Sequence, residues 1–246
     1  MRGLDIRMSF ANSKAWHPAL YQQFNFSASS QSQPAVTGQR IGLYLCPSEI
    51  NDRSAGPGKY PSSYATGTGD WLTADHTAHV GGNGAYPVLS PGSVGLRSAD
   101  ITDGFSTTVG FTEVKTFGDC LIKSGALPTT PPVTPADVLA FGGTFTLGIN
   151  HTRWAEGAIA YSCMTFVFPP NTAVNYASAG RTYDVDFACI YPVEYGAITA
   201  RSFHPGGVNA LFMDGSVHFV TNSIPQMTWR ALGTRNGGES VSADEY

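Results

Sequence analysis

The chain has 246 residues, of which only 13% are charged, and its formal net charge is −4. Its 14 Lys and Arg residues are scattered, so the clustered basic residues that a nucleic-acid surface needs are missing and no nucleic-acid partner is expected. A hydrophobic content of 42%, with 12% aromatic residues, is ample for a folded core and argues against global disorder. The length fits one large or two small domains, and we expect a single domain over residues 1–246.

The N-terminal part of the chain predicts little regular structure. No run of seven or more apolar residues follows Met1, so the sequence predicts neither an export signal nor a membrane span. Residues 13–24 have helical periodicity, with Pro18 suited to the first turn of a helix. Residues 41–46 form a short apolar run that predicts a strand ending at Pro47.

The middle of the chain alternates strand-like runs with loops rich in Gly and Pro. Residues 121–137 contain four prolines and are predicted to be an exposed insertion or linker. Turn signals recur about every ten residues, which favours an antiparallel sheet over a βαβ fold. We therefore expect an α+β fold that is mostly antiparallel β. The predicted strands are residues 107–114, 144–150, 158–168 and 182–190, and a short closing helix is predicted at residues 223–232.

A β-hairpin is the most specific local prediction, and it lies within residues 201–222. Asp214-Gly215 separates two alternating apolar runs, which indicates a two-residue type I′ turn. In that register Phe212 faces Val217 and Ala210 faces Phe219. The face predicted to pack on the core consists of Val208, Ala210, Phe212, Val217 and Phe219, with Asn209, Leu211, His218 and Val220 on the other face.

His204 precedes the turn Pro205-Gly206-Gly207 that leads into the hairpin. One interpretation makes it a ligand or an acid–base group that acts with Asp214 or Glu113. The other is structural, with the ring hydrogen-bonded to loop backbone beneath the hairpin. We favour the structural role for His204, Gly206, Gly207, Asp214 and Gly215, because turn geometry explains Asp-Gly and no nucleophile or metal motif has diagnostic spacing. No catalytic centre is accordingly expected.

The chain has four cysteines, at positions 46, 120, 163 and 189. None lies in a C-x-x-C pair, so a zinc-finger type of site is not expected. Four cysteines allow two disulfides, although some of them can simply be small buried residues. Because Cys163 and Cys189 flank one segment, they are the first candidates for a disulfide.

Several segments together resemble one bacterial family of secreted proteins that are made with a prepilin-type N-terminus. The segment Leu43-Tyr-Leu-Cys-Pro-Ser-Glu49, residues 99–113 with Asp-Ile-Thr-Asp-Gly-Phe-Ser, and the spacing of nine residues between His204 and Asp214-Gly215 look like its motifs. The resemblance extends from about Tyr21 to the C-terminus. The family is catalogued as a domain of unknown function and also as a family of solute-binding proteins.

The resemblance implies a pilin-like or pseudopilin-like domain behind a long N-terminal helix, at an extracytoplasmic or cell-surface location. Here the first ten residues contain Arg2, Asp5 and Arg7 where the family has a leader and an apolar helix. We therefore expect that helix to be missing, and the fold either to expose an apolar groove or to cover it with residues 1–24. In the family a cysteine after the helix is the natural partner of Cys46, which is thus expected to be a free thiol.

The resemblance also suggests a metal, because the major pilins of type II secretion often hold a calcium ion. The candidate oxygen ligands are Asp100, Asp103 and Glu113, although the segment lacks the dense series of ligands found in calcium-binding loops. A turn in which the aspartates cap their own backbone is the simpler interpretation. No other cofactor is expected.

We predict a noncatalytic, exported, pilin-like or pseudopilin-like surface protein. Its partners would be like subunits or the N-terminal helix of a full-length form, and it would act through assembly or through loop-mediated binding. The first alternative is an extracytoplasmic module that binds a solute or a glycan, and a deep aromatic pocket would favour it. The second is a hydrolase that uses His204 and a carboxylate, which a convergent His, acid and nucleophile would favour.

Overall fold

The computed structural model describes residues 18–88, 95–242, 244 and 246. Their regular structure is mainly short strands, with a few helices of four to eight residues. The helices are α1 (Pro18–Gln23), α2 (Pro34–Thr37), α3 (Pro135–Ala140) and α4 (Gln226–Gly233). The strands are β1 (Tyr64–Gly67), β2 (Leu72–Asp75), β3 (Val80–Gly81), β4 (Val109–Glu113), β5 (Gly118–Ser124), β6 (Thr144–Asn150), β7 (Cys163–Met164), β8 (Asn175–Ser178), β9 (Arg181–Ile190), β10 (Val193–Ala197), β11 (Gly207–Phe212) and β12 (Val217–Thr221).

The strands form two sheets. The five-stranded sheet has the order β12-β11-β4-β1-β7, and the other sheet has the order β3-β2-β10-β9-β5-β6 with β8 paired to β9. Among the described strands, β1 with β7 and β5 with β9 are the parallel pairs, and the remaining neighbours are antiparallel. The predicted β-rich, mostly antiparallel fold is thus confirmed. None of the described helices is long and apolar enough to cross a bilayer.

One face of the five-stranded sheet, here called the inner face, packs on the core. Val109, Val208 and Ala210 on this face are fully buried, and Trp229 and Leu232 of α4 belong to the same cluster. Burying side chains of this size is the main stabilising contribution to the fold, at about 1.5–3 kcal/mol for each large one. The opposite face of this sheet, here called the outer face, carries the candidate site.

The hairpin of β11 and β12 is present, but its turn differs from the prediction. The amide of Phe212 donates to Ser216 O and the amide of Gly215 donates to Phe212 O, so the loop has three residues and not two. Gly215 adopts φ +90°, while Asp214 is not in the positive-φ region. A type I turn followed by a residue of positive φ is the usual form of a three-residue hairpin loop, and it replaces the type I′ turn.

The longer loop shifts the pairing of the two strands by one residue. Leu211 pairs with Val217, and Asn209 pairs with Phe219. The predicted core face was therefore wrong for Val217 and Phe219, which lie on the outer face with 62% and 45% exposure. Val220 is fully buried in their place. A shift of one residue moves every side chain of a strand to the other face of its sheet.

The other predicted strands and helices agree with the structure to different degrees. The predicted strands at residues 107–114, 144–150 and 182–190 correspond to β4, β6 and β9, and the closing helix corresponds to α4. Of the strand predicted at residues 158–168, only β7 is formed. The predicted helix at residues 13–24 is observed as α1, and its residues 13–17 lie outside the described residues.

The strand predicted at residues 41–46 was wrong. A 3-10 turn spans Gly42–Tyr44, because Ile41 is buried in a separate small cluster with Trp154 and α1 rather than in a sheet. In the predicted insertion at residues 121–137, β5 occupies the first part. Farther along, Trp71 Nε1 donates to Pro128 O over 2.9 Å, while Val133 is exposed.

Candidate functional site

The outer face of the five-stranded sheet bears a groove of about 450 Å³. Its floor follows from the register of β1, β4 and β11, which aligns every second side chain of each strand on this face. Val217 of β12 adds an exposed apolar side chain at the edge. The groove, called the outer groove below, is lined by Tyr64, Phe111, Thr112, Glu113, Asn209, Leu211 and Val217.

Glu113 lies in the wall of the outer groove and also belongs to a cluster with Cys46 and His204. The distance from Cys46 Sγ to Glu113 Oε1 is 3.5 Å, that from Cys46 Sγ to His204 Nε2 is 3.4 Å, and that from His204 Nε2 to Glu113 Oε1 is 3.0 Å. Three side-chain atoms of different chemistry thus form a triangle. We call this cluster the Cys-Glu-His triangle.

Glu113 reaches this position because it ends β4 between two paired strands. It lies opposite Tyr64 of β1, and the pairing of β4 with β11 brings Asn209 beside it. The backbone amide of Asn209 donates to Glu113 Oε2 over 2.7 Å, and its side-chain Nδ2 donates to Oε1 over 3.2 Å. The carboxylate, whose side chain is only 4% exposed, is therefore held in one orientation by neutral donors.

Cys46 is placed by the Cys-Pro-Ser-Glu turn. The amide of Glu49 donates to Cys46 O and closes the turn. The Glu49 side chain accepts from the amides of Asn51 and Thr116, at 2.9 Å and 3.0 Å. Because Thr116 follows β4 closely, these bonds tie the turn to the end of the strand that carries Glu113.

His204 is placed by the loop between β10 and β11. Its amide donates to Ser202 Oγ, and that hydroxyl donates to Gly207 O. The amide of Arg201 donates to Glu113 O, which anchors the start of the loop to β4. A Cβ on Gly207 would approach Val220 O to 2.2 Å, so a larger residue there would displace the loop.

Burial, with a smaller contribution from the carboxylate of Glu113, sets the electrostatics around the triangle. Burial raises the pKa of the Cys46 thiol, and the charge of Glu113 raises it further. Burial, with smaller contributions from Cys46 and Glu113, raises the pKa of Tyr64 to about 12. Both neighbours of Glu113 are therefore less acidic than usual, and a cation among these groups would act in the opposite direction.

The triangle is not arranged as a proton relay. A relay from a nucleophile through histidine to an acid uses both ring nitrogens, one for each partner. Here the thiol and the carboxylate contact the same atom, His204 Nε2. A reactive cysteine also needs a lowered pKa, and that of Cys46 is raised. The three atoms instead lie within 4.8 Å of one another, as the ligand atoms of one ion do.

The ring of His204 differs from our expectation. We expected it to bond loop backbone, but its Nε2 contacts the side chains of Glu113 and Cys46. The alternative that makes His204 a ligand or an acid–base group beside Glu113 fits this contact, whereas Cys46 was part of neither interpretation. Asp214 does form a turn, accepting from the amide of Ser216, and Gly206 has a φ of +87°.

The predicted calcium ligands do not come together. Asp100 is paired with Arg97, and Asp103 accepts from the amides of Gly237 and Gly238. Among the described residues, the Cys-Glu-His triangle is the one place where three potential metal ligands lie close together, and neither aspartate belongs to it. Of the three predicted calcium ligands, Glu113 does lie beside other potential ligands, but these are a thiol and an imidazole rather than the two aspartates.

The four cysteines, all of which lie within the described residues, form no disulfide with one another. Cys163 packs with Ala74 and Val88, whereas Cys189 belongs to the cluster around Trp71. The suggested disulfide between Cys163 and Cys189 is therefore not formed, because the two residues lie in different parts of the core. The expected free thiol at Cys46 agrees with the structure.

Sequence reasoning missed Cys46 as a member of the site, although a signal was present. The three segments that carry the family resemblance each contribute one corner of the triangle: the Cys-Pro-Ser-Glu turn gives Cys46, the central segment gives Glu113, and the C-terminal signature gives His204. Motifs that are distant in sequence and share no periodicity are often neighbours at one site. The three motifs meet at this site, so we regard it as the candidate functional site of the chain.

Comparison with known proteins identifies the family of the chain. No curated protein and no solved structure gives a significant match to the chain. A family model described as "Protein of unknown function (DUF1559)" matches residues 17–227, which include all three corners of the triangle. The chain therefore belongs to the DUF1559 family, which is also named as a family of bacterial solute-binding proteins.

Proposed function

We propose that this protein is a noncatalytic, exported, pilin-like module that binds an apolar helix in the outer groove. The observation that carries the proposal is the exposure of Val217 and Phe219, at 62% and 45%, beside Phe111 and Leu211 on one sheet face. An antiparallel sheet with one face on the core and the other in water normally carries apolar side chains on the first face and polar ones on the second. Contiguous exposed apolar surface usually marks a partner site.

The occupant that we propose is a helix with an apolar face, of the kind that precedes this domain in the proteins that it resembles. A longer form of the same chain or a neighbouring subunit would provide it. The groove suits such a helix because its apolar residues come from adjacent strands and lie side by side across them. An extracytoplasmic location is part of this proposal.

The chemistry of the triangle supports a noncatalytic role. His204 presents the same nitrogen to Cys46 and to Glu113, and the pKa of the thiol is raised rather than lowered. Neither property suits a nucleophile activated by a base. The hydrolase alternative therefore has less support than binding.

Two matched substitutions test the groove. Val217 and Val133 are both exposed, at 62% and 64%, but Val217 lines the groove and Val133 lies in the loop before α3. We expect a synthetic helical peptide with a Leu and Ile face, made soluble by terminal lysines, to bind the wild-type protein saturably. Val217→Asp should weaken that binding at least about tenfold, since a charge would be buried under the helix.

Val133→Asp is the control and should bind the peptide as the wild-type protein does. Binding is measured from the change in tryptophan or peptide fluorescence, with near-UV circular dichroism to confirm that both variants are folded. No saturable binding by the wild-type protein, or equal loss in both variants, would count against a helix in the outer groove. Peptides made from the upstream region of a longer form and from an unrelated helix would separate the two sources of the helix.

Solute binding is the second candidate, because a volume of about 450 Å³ lies in the range of small-molecule sites and Tyr64 and Phe111 offer aromatic surface. The polar groups of the groove favour it less, since the Asn209 amide groups are already bonded to Glu113. A thermal-shift series with sugars and amino acids discriminates the two. A stabilising solute whose effect is lost in Tyr64→Ala and kept in Val217→Asp would favour solute binding over helix binding.

A further inference from the structure

The Cys-Glu-His triangle has the composition and the dimensions of a metal site, and we infer that it binds one Zn²⁺ ion. The ligands would be Cys46 Sγ, Glu113 Oε1 and His204 Nε2. This inference does not depend on the helix proposed for the outer groove. The two sites share Glu113, but the ion needs ligand atoms whereas the helix needs apolar contacts. It requires no redox or covalent step beyond the loss of the thiol proton on binding.

The distances between the three atoms support the inference. In a tetrahedral site with Zn–S of about 2.3 Å and Zn–N and Zn–O of about 2.0–2.2 Å, sulfur lies about 3.5 Å from each of the other ligands. The nitrogen and oxygen ligands then lie about 3.4 Å apart. The observed separations are 3.5 Å, 3.4 Å and 3.0 Å. Movements of a few tenths of an ångström would therefore complete one face of the tetrahedron.

The types of ligand select the metal. Calcium and magnesium take oxygen ligands and have little affinity for a thiol or an imidazole. Zinc accepts sulfur, nitrogen and a carboxylate oxygen, and a site with three protein ligands keeps a fourth position for water. A thiolate with a carboxylate also supplies two negative charges, which match the charge of Zn²⁺. The His204 side chain is 31% exposed, so an ion has a path from solvent.

The groups around the triangle hold its ligands in place. The backbone amide of Asn209 donates to Glu113 Oε2, and Oε1, which also accepts from Asn209 Nδ2, is the oxygen that contacts Cys46 and His204. The Glu49 side chain fixes the Cys46 turn, and Ser202 fixes the loop of His204. Outer groups that orient the ligands are a regular part of metal sites, and each typically contributes about 10-fold to 100-fold to affinity.

Metal titration of the reduced, chelator-stripped protein tests the inference. Zn²⁺ is titrated against a chromophoric chelator, and Co²⁺ is used as a spectroscopic substitute. We expect one ion per chain and, with Co²⁺, the near-ultraviolet charge-transfer absorption that a cobalt–thiolate bond produces. His204→Gln should weaken Zn²⁺ binding at least about 100-fold, because a ligand matters at least as much as an outer group. Cys46→Ser should abolish the cobalt–thiolate absorption.

The matched control is His218→Gln, which removes an exposed histidine on the neighbouring strand while leaving the triangle intact. It should bind Zn²⁺ with wild-type affinity. Near-UV circular dichroism shows whether each variant is folded, and the wild-type cobalt spectrum needs no variant at all. The inference is overturned if reduced wild-type protein gives no thiolate absorption with Co²⁺, or if His204→Gln binds Zn²⁺ as tightly as His218→Gln.

Discussion

Two clusters of ionisable groups lie near the loop that leads to β11, and their composition differs. In the first, here called the interior cluster, Arg201 is paired with the buried Asp186 at 3.1 Å and with the exposed Asp184 at 2.6 Å. Asp186 also accepts from Asn150 Nδ2 and the amide of Thr199. In the Cys-Glu-His triangle, a carboxylate instead faces a thiol and an imidazole. The first cluster contains its own cation, and the second does not include a permanently charged one.

This difference separates a structural cluster from a binding site. A buried charge is tolerated when it is paired and hydrogen-bonded, as Asp186 is by a guanidinium and two neutral donors. The carboxylate of Glu113 is equally buried, but its fixed donors are neutral. We therefore expect the interior cluster to determine stability, and the triangle to determine the response to an added cation.

The largest effect is expected from breaking the interior cluster. Arg201→Met should lower the free energy of unfolding by about 3–5 kcal/mol, because it leaves the nearly buried Asp186 without its cation. Urea denaturation at pH 7 measures this change. Arg97→Met is the control, since Arg97 and Asp100 form an exposed pair and the substitution should leave the denaturation midpoint unchanged. Similar midpoints for the two variants would contradict the structural role of Arg201.

A slightly smaller effect is expected from acid. His151 is buried beside the interior cluster, and burial lowers its pKa to about 4, although Asp186 partly opposes the shift. The unfolded chain binds a proton at this histidine near pH 6.5 and the folded chain does not until about pH 4. The contribution of neutral His151 to the free energy of unfolding is therefore fully present above pH 6.5. It is lost as the pH is lowered toward 4, which costs about 3 kcal/mol.

Comparison of variants isolates this contribution from that of the carboxyl groups. His151→Gln should show a shallower loss of unfolding free energy between pH 6.5 and pH 4 than the wild-type protein does. His218→Gln, which removes an exposed histidine, should keep the wild-type slope. In NMR the ring resonances of His151 should not titrate above about pH 5. Titration near pH 6.5 would show that the ring is not buried in its neutral form.

The sequence predicted those parts of the fold that depend on local patterns. The strands near residues 107–114, 144–150 and 182–190 were visible because apolar alternation and turn residues act over a few positions. The register of the hairpin was not predicted correctly, because Asp-Gly also fits a three-residue loop in which Gly takes the positive φ. A difference of one residue in the loop decides which side chains reach the core. Val217 and Phe219 were therefore placed on the wrong face.

The triangle was harder to predict because its corners are far apart in sequence. Cys46 is 67 residues from Glu113, and Glu113 is 91 residues from His204. Their meeting depends on the pairing of β4 with β1 and β11 and on the bonds of Glu49, which no local pattern encodes. Each corner was explicable alone as part of a turn or a strand.

The smallest effect on stability is expected from the triangle itself. Cys46→Ala removes a partly exposed thiol whose neighbours keep other partners, since Glu113 remains bonded to Asn209 and to His204. With a chelator present, the free energy of unfolding should change by less than about 1 kcal/mol. With Zn²⁺ at about 100 times its dissociation constant, the wild-type protein should gain about 2.7 kcal/mol that Cys46→Ala does not. Thermal unfolding with and without Zn²⁺ measures both values. If Cys46→Ala unfolds as readily as Arg201→Met in the presence of the chelator, then the triangle is a structural cluster of the same kind as the one in the interior.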